Sequence, residues 1–189
     1  MENLEKKICG LFDFSRSLSF REKVKHVGVI VAAMSLWAFL ILLMYSLAGI
    51  YPQETGELFF YGEEMIWWKL LFAAVVAVPL IEEGLFRFLP IRLTQTIFRS
   101  RKTMLGVALC VVICVSSVLF GYLHGGLLFI PIQGVYGLLL SWLFLKNNNS
   151  FISIWIAHVA LNVIIIGATL AEIFIVYEAF KPVFSFGGL

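Results

Sequence analysis

Apolar residues fall along this chain in long runs, separated by short polar stretches. The opening, residues 1–26, sets Lys6, Lys7, Arg16, Arg21, Lys23 and Lys25 among Leu11, Phe12, Phe14, Leu18 and Phe20. That is the pattern of an amphiphilic segment lying at the cytoplasmic membrane interface. Residues 27–50 are apolar and long enough to cross a bilayer at 1.5 Å per residue. An acidic loop follows over 51–64, with Glu54, Glu57, Glu63 and Glu64. Trp67, Trp68 and Lys69 mark the interfacial edge of a second run, which starts near Met65 and passes through Pro79 to Glu82 and Glu83. Residues 91–103 carry Arg92, Arg99, Arg101 and Lys102 and read as a basic loop. A third run, 104–130, is interrupted by His124, Gly125 and Gly126, and Pro131 predicts a break before a fourth, 132–145. After the turn at 146–150 comes a last run, 151–180, of roughly 45 Å as one helix, so Gly167 is expected to mark a bend or a split.

These runs predict an all-α fold: a polytopic membrane helical bundle of about five to six membrane segments. Residues 27–189 then form one membrane domain behind the cytoplasmic segment 1–26, because no polar linker is long enough to separate a pair of folded units. Lys and Arg in the loops place the N-terminus, the 91–103 loop and the 146–150 turn on the cytoplasmic side, with the acidic 51–64 loop opposite. In a prokaryote this is the cell membrane. The opening lacks the short apolar core and small-residue cleavage site of a signal peptide.

Composition agrees with the pattern. Of 189 residues, 61% are hydrophobic and 14% charged, against about 45–50% and about 25% in soluble domains; mean hydropathy is +0.96. The net charge of +2 gives no reason to expect a nucleic-acid partner, and the lipid bilayer is the partner the composition does require. Cys9, Cys110 and Cys114 show no metal-binding or redox spacing.

Against that background a few polar residues stand out. Glu82, Glu83 and Arg87 sit where a membrane helix should be. Each ionised group near a helix centre costs roughly 2.5–3.5 kcal/mol, so such a cluster is a functional-site candidate. Glu83 and Arg87, four apart, lie on one helical face and can neutralise each other, while Glu82 points about 100° away. His124 lies in the third run; His158 and Asn162, again four apart, share a face of the last. A carboxylate with an imidazole can hold and deprotonate a water, and a second imidazole with a carboxamide can donate to a developing oxyanion. Those are the components of peptide-bond hydrolysis. The bland readings are a structural ion pair for Glu83 and Arg87, and interhelical hydrogen bonding for His158 and Asn162.

Glu82-Glu83-x-x-x-Arg87, Phe120-x-x-x-His124 and His158-x-x-x-Asn162, in this order on successive membrane helices, resemble the motifs of the CAAX protease and bacteriocin-processing family, which includes the CAAX prenyl endopeptidases and the Abi-type bacterial membrane proteins. The resemblance covers about residues 79–162. It implies an intramembrane glutamic endopeptidase with no cofactor, in which Glu82 and His124 activate the water, His158 and Asn162 stabilise the oxyanion, and Glu83 and Arg87 support the site by fixing Glu82. The implied substrate is a membrane-associated protein or peptide: a CAAX-type tail, a leader, or a C-terminal sorting signal.

Alternatives remain at this point. Glu82, His124 and His158 offer a zinc set, ranked lower because no His-x-x-x-His or His-Glu-x-x-His pair pre-arranges ligands on one helix. A non-catalytic immunity or scaffold protein, or a carrier, could use the same polar cluster. The only aspartate, Asp13, lies outside the spans, which excludes a paired-aspartate protease, and no Gly-x-Ser-x-Gly turn surrounds Ser116 or Ser117. Helix geometry also poses a difficulty: His124 lies roughly 31 Å along a third helix and His158 only about 12 Å into the last. A long or tilted third helix, running on to Pro131, is the expected solution.

Overall fold

The computed structural model describes residues 18–50 and 67–185, and every regular element among them is helical. The segment 1–17 and the acidic stretch 51–64 lie outside the described residues. Helix α1, Phe20–Leu47, starts at a capping box in which the Ser19 hydroxyl accepts from the Glu22 N–H and the Glu22 carboxylate accepts from the Ser19 N–H. The cap moves the start of the first helix well ahead of residue 27, so the basic residues from Arg21 to Lys25 are turns of the spanning helix itself.

Helix α2 is continuous over residues 67–97 and alternates α-helix with two π-turns, Ala73–Ala77 and Gly84–Phe88. The basic stretch after Pro90, expected as a loop, is helical to Ile97. The prolines explain both features. Each π-turn directly precedes one of them, Pro79 or Pro90. A proline has no N–H for the carbonyl four residues back, and its ring crowds that carbonyl. A wider turn absorbs both effects, and the helix goes on. Ile91 and Thr94 are buried on its inner face while Leu93 and Ile97 are exposed.

Helix α3, Lys102–Leu123, does not run on to Pro131. It ends at His124, and the chain turns at Gly126, whose φ of +77° suits glycine. Helix α4, Leu127–Lys146, contains Pro131 in its opening turns instead of starting behind it. The 3-10 and π-turns that open this helix accommodate the proline ring and its missing N–H. Helix α5, Phe151–Ser185, passes through Gly167 unbroken. An interior glycine lowers helix stability by about 1 kcal/mol relative to alanine, which is too little to end a helix packed in a bundle.

Helix α1, helix α3, helix α4 and residues Phe151–Ala171 of α5 are each long and apolar enough to cross a membrane, and α2 threads the charged residues between them. Helix α4 is central: 44% of its apolar window is buried, against 17–28% for the others. Tyr136, Leu140, Leu143 and Phe144 of α4 meet Ile30, Met34 and Ile41 of α1, Ile91 of α2, Leu109 of α3 and Ile154, Ala157 and Leu161 of α5. At one end His26 Nδ1 bonds Asn147 Oδ1 at 2.7 Å, the Asn147 amide donates to the Lys23 carbonyl at 3.4 Å, and Gln95 donates to Asn149 at 3.1 Å. The start of α1, the end of α2 and the 146–150 turn therefore share an end of the bundle.

Helices α3 and α4 approach most closely through glycine. A Cβ on Gly121 would stand 2.8 Å from the Gly134 nitrogen and the Ile130 Cα, and one on Gly137 would stand 2.9 Å from the Ser117 Cα. These neighbours are backbone and cannot swing away. Gly121→Ala and Gly137→Ala should each destabilise the bundle by about 1–3 kcal/mol, whereas Gly167→Ala, with nothing within 4 Å of its Cβ, should be neutral or slightly stabilising. Thermal unfolding in detergent would rank the three.

Candidate active site

The second π-turn of α2 places three charged side chains in different surroundings. Glu83 and Arg87 are fully buried, and the Arg87 Nη1 donates to Glu83 Oε1 at 3.1 Å. The guanidinium carbon also lies 3.8 Å from the centroid of the Phe120 ring on α3. A cation held between a carboxylate and a ring face gives up its water with compensation on both sides. Glu82, one residue earlier, is turned to another side and remains 19% exposed.

Two histidines flank Glu82. His124 Nδ1 lies 2.7 Å from the Phe120 carbonyl, and His158 Nδ1 lies 2.8 Å from Glu83 Oε1. A carbonyl oxygen can only accept, so His124 Nδ1 carries a hydrogen; Glu83, already accepting from Arg87, likewise accepts from His158 Nδ1. Both rings therefore present Nε2 to Glu82: His124 Nε2 stands 3.4 Å from Oε1, and His158 Nε2 stands 3.7 Å from Oε2. The two imidazoles take opposite oxygens of one carboxylate. Their exposure differs as well, 26% for the His124 side chain and 7% for that of His158.

Five of the six residues marked in the sequence are thus joined in one contact network, at distances that do not need the long third helix. His158 reaches Glu82 because α5 crosses α2 instead of running beside it. Trp155, His158 and Asn162 of α5 meet, in that order, the Val76 carbonyl at 3.1 Å, Glu83 at 2.8 Å and the Ala74 carbonyl at 3.3 Å. Parallel neighbours would show contacts progressing along both helices.

Asn162 stands apart from the network. Its amide donates to Ala74 O in the first π-turn, so its contact is with backbone and not with Glu82 or either histidine. Two residues near the site carry no role in a reading of the sequence alone. Trp155 lies one turn before His158, and its indole N–H needs a partner inside a bilayer, which the π-turn carbonyl of Val76 provides. Phe120, 1% exposed, supports Arg87 with its ring face, stacks against His124 at 4.2 Å between centroids and holds the His124 Nδ1 with its carbonyl. The motif Phe120-x-x-x-His124 marks the residue in the sequence, and the structure adds what its ring and carbonyl touch.

For the zinc alternative the test is whether the donors converge. The imidazoles address different oxygens of Glu82, and among the described residues no three His, Cys, Asp or Glu side chains are grouped as a metal ion would require.

Removing one partner of a buried ion pair leaves a charge without compensation, at a cost of about 3–5 kcal/mol. Arg87→Met should therefore lose stability on that scale, and adding Glu83→Gln should recover much of it, because the stranded carboxylate is then neutral. Unfolding curves of the two single variants and the double variant would measure the coupling.

A family model described as type II CAAX prenyl endopeptidase Rce1-like matches residues 63–164, more than half of the chain. The matched segment contains Glu82, Glu83, Arg87, His124, His158 and Asn162. No curated protein and no solved structure matches the chain. With its multiple membrane-spanning helices, this integral membrane protein belongs to the type II CAAX prenyl endopeptidase Rce1-like family.

Proposed function

We propose that the protein is an intramembrane endopeptidase that hydrolyses a peptide bond through a water activated by Glu82 and His124. The observation that carries this reading is the pair of Nε2 atoms held 3.4 and 3.7 Å from opposite oxygens of one accessible carboxylate. At 3.4 Å the Glu82–His124 contact is long for a direct hydrogen bond, so both groups keep capacity for a water lying beside them within reach of Oε1 and Nε2. Glu82 takes a proton from the water as its oxygen attacks the scissile carbonyl carbon, and returns it to the departing amine. Glu83 and Arg87 support this chemistry by fixing the tautomer of His158, which leaves its Nε2 turned to the reacting side. When His158 carries a hydrogen on Nε2 as well as on Nδ1, that Nε2–H and the second N–H of the Asn162 amide, the donor left over from its bond to Ala74, stabilise the oxyanion.

The family description points to a CAAX-type tail of a membrane-associated protein as substrate, and a leader or C-terminal sorting signal has the same chemistry at the bond cleaved. The N-terminus lies in the cytoplasm in this reading, since Arg21, Lys23, Lys25, Arg99, Arg101, Lys102 and Lys146 gather at ends that belong on the positive side. The site works without a metal.

Glu82→Ala and His124→Ala should each abolish hydrolysis of a lipidated peptide presented in vesicles while leaving the helical spectrum and elution profile unchanged. Near-normal turnover by Glu82→Ala would remove the glutamate from the mechanism. Exhaustive chelation should leave wild-type activity intact. Stoichiometric zinc whose removal and return switch activity off and on would establish the metalloprotease alternative.

A further inference from the structure

The corner joining α3 to α4 carries His124 and is irregular throughout. His124 caps α3, Gly126 turns, Leu127–Phe129 form a 3-10 turn, and Ile130–Gly134 form a π-turn. In 3-10 register the Leu128 carbonyl would accept from residue 131, but that residue is Pro131 and has no N–H. Helix α1 supplies the donor: the Tyr45 hydroxyl donates to Leu128 O at 2.7 Å. From the same helix the Trp37 indole N–H donates to Pro131 O, also at 2.7 Å.

These two bonds are shorter than those by which the end of α3 holds the backbone of His124. The His124 N–H reaches Gly121 O at 3.3 Å and the Gly125 N–H reaches Tyr122 O at 3.4 Å; only Gly126 N–H to Tyr122 O, at 2.7 Å, is as short. The corner is also stiff. The Phe129 ring leaves no room for a Cβ on Gly125, and Gly121 lies against the backbone of Ile130 and Gly134. A displacement of the 128–131 segment therefore carries the end of α3 with it.

Tyr and Trp near membrane edges commonly serve as interfacial anchors, with their polar atoms among lipid headgroups. Here both polar atoms are engaged by backbone carbonyls of another helix.

We propose that α1, which lies outside the family-matched segment, is a strap for the water-activating histidine: Trp37 and Tyr45 are positioning residues that hold the 124–134 corner, and through it the His124 imidazole, at its distance from Glu82. This rests on the reading of Glu82 and His124 as the catalytic pair. A displacement of about 1 Å at a reacting group costs on the order of 100-fold in rate, so loosening the strap acts on kcat.

The test uses the full chain with Trp37→Phe and Tyr45→Phe combined, which removes both donors and keeps aromatic rings in place. With only three histidines in the chain, the imidazole 15N resonances can be assigned from single substitutions. The expected result is a shift or broadening of the His124 signals with those of His158 unchanged, a fall in kcat of roughly tenfold or more, and a KM within about twofold of wild type. Phe39→Leu, on the exposed side of α1, should change neither. Unchanged His124 signals in the double variant would overturn the strap, as would equal disturbance of His124 and His158 with a lowered melting temperature, which marks general loosening. If the wild type cleaves no peptide, the proposed function fails, and the imidazole spectrum still decides the strap.

Discussion

The Arg87 guanidinium, with no exposed surface, is the constraint around which the bundle is arranged. A cation there would cost several kcal/mol unless its charge and its face were both compensated. Glu83 supplies the charge from the next turn of the same helix, and Phe120 supplies the face from α3. Compensation of the cation therefore fixes how α2 and α3 sit against each other. Because Phe120 also accepts from His124 Nδ1, and Glu83 also accepts from His158 Nδ1, both ring orientations follow from the same arrangement. The histidines are placed by the groups that neutralise the arginine.

The π-turns let one helix do this. Glu82, Glu83 and Arg87 lie between Pro79 and Pro90, and in an ordinary α-helix each proline would remove a bond and force a kink or a stop. With a π-turn before each of them the helix continues from residue 67 to 97, and the carbonyls of Ala74 and Val76 in the first π-turn accept from Asn162 and Trp155 of α5. Donors from a neighbouring helix satisfy carbonyls of the irregular backbone, one way in which a membrane protein tolerates a proline within a helix. Helix α5 is thereby fastened across α2 at points on either side of His158 in its own sequence.

Much of this was legible in the sequence. Run lengths and hydropathy indicate the all-α membrane fold, because bilayer thickness leaves few other ways to satisfy an apolar backbone. The cost of intramembrane charge singles out Glu82, Glu83 and Arg87, and the order of the motifs points to the family. What misleads is local chemistry whose outcome depends on neighbours. Pro90 reads as the start of a loop and Pro131 as a break, yet both sit inside helices, Pro90 just after a π-turn and Pro131 within one. Gly167 reads as a bend and is an ordinary helical position, while Gly126, in the His-Gly-Gly interruption, does turn the chain. A π-turn leaves no residue pattern of its own; it is the response of a helix to a proline that tertiary contacts will not let it end at. Asn162 shares a helical face with His158 as spacing requires, but spacing could not show that its amide would be engaged by a carbonyl of α2.

Two adjacent glutamates in one helix come to stand in opposite surroundings, which differ in burial and in number of close partners. Glu83 has no exposure and one oxygen that accepts from both Arg87 and His158. Both bonds go to that single oxygen, so the carboxylate is clamped in place from two helices. Glu82 has partial exposure, and each of its oxygens meets an imidazole nitrogen only at 3.4 or 3.7 Å. Its neighbours stand near it without clamping it, in contrast to those of Glu83. The mechanism proposed above gives the proton-carrying part to Glu82 because it is the carboxylate that is partly exposed and held only by long contacts. The rotation of about 100° that separates consecutive residues of a helix is what turns the second carboxylate out of the clamp that holds the first.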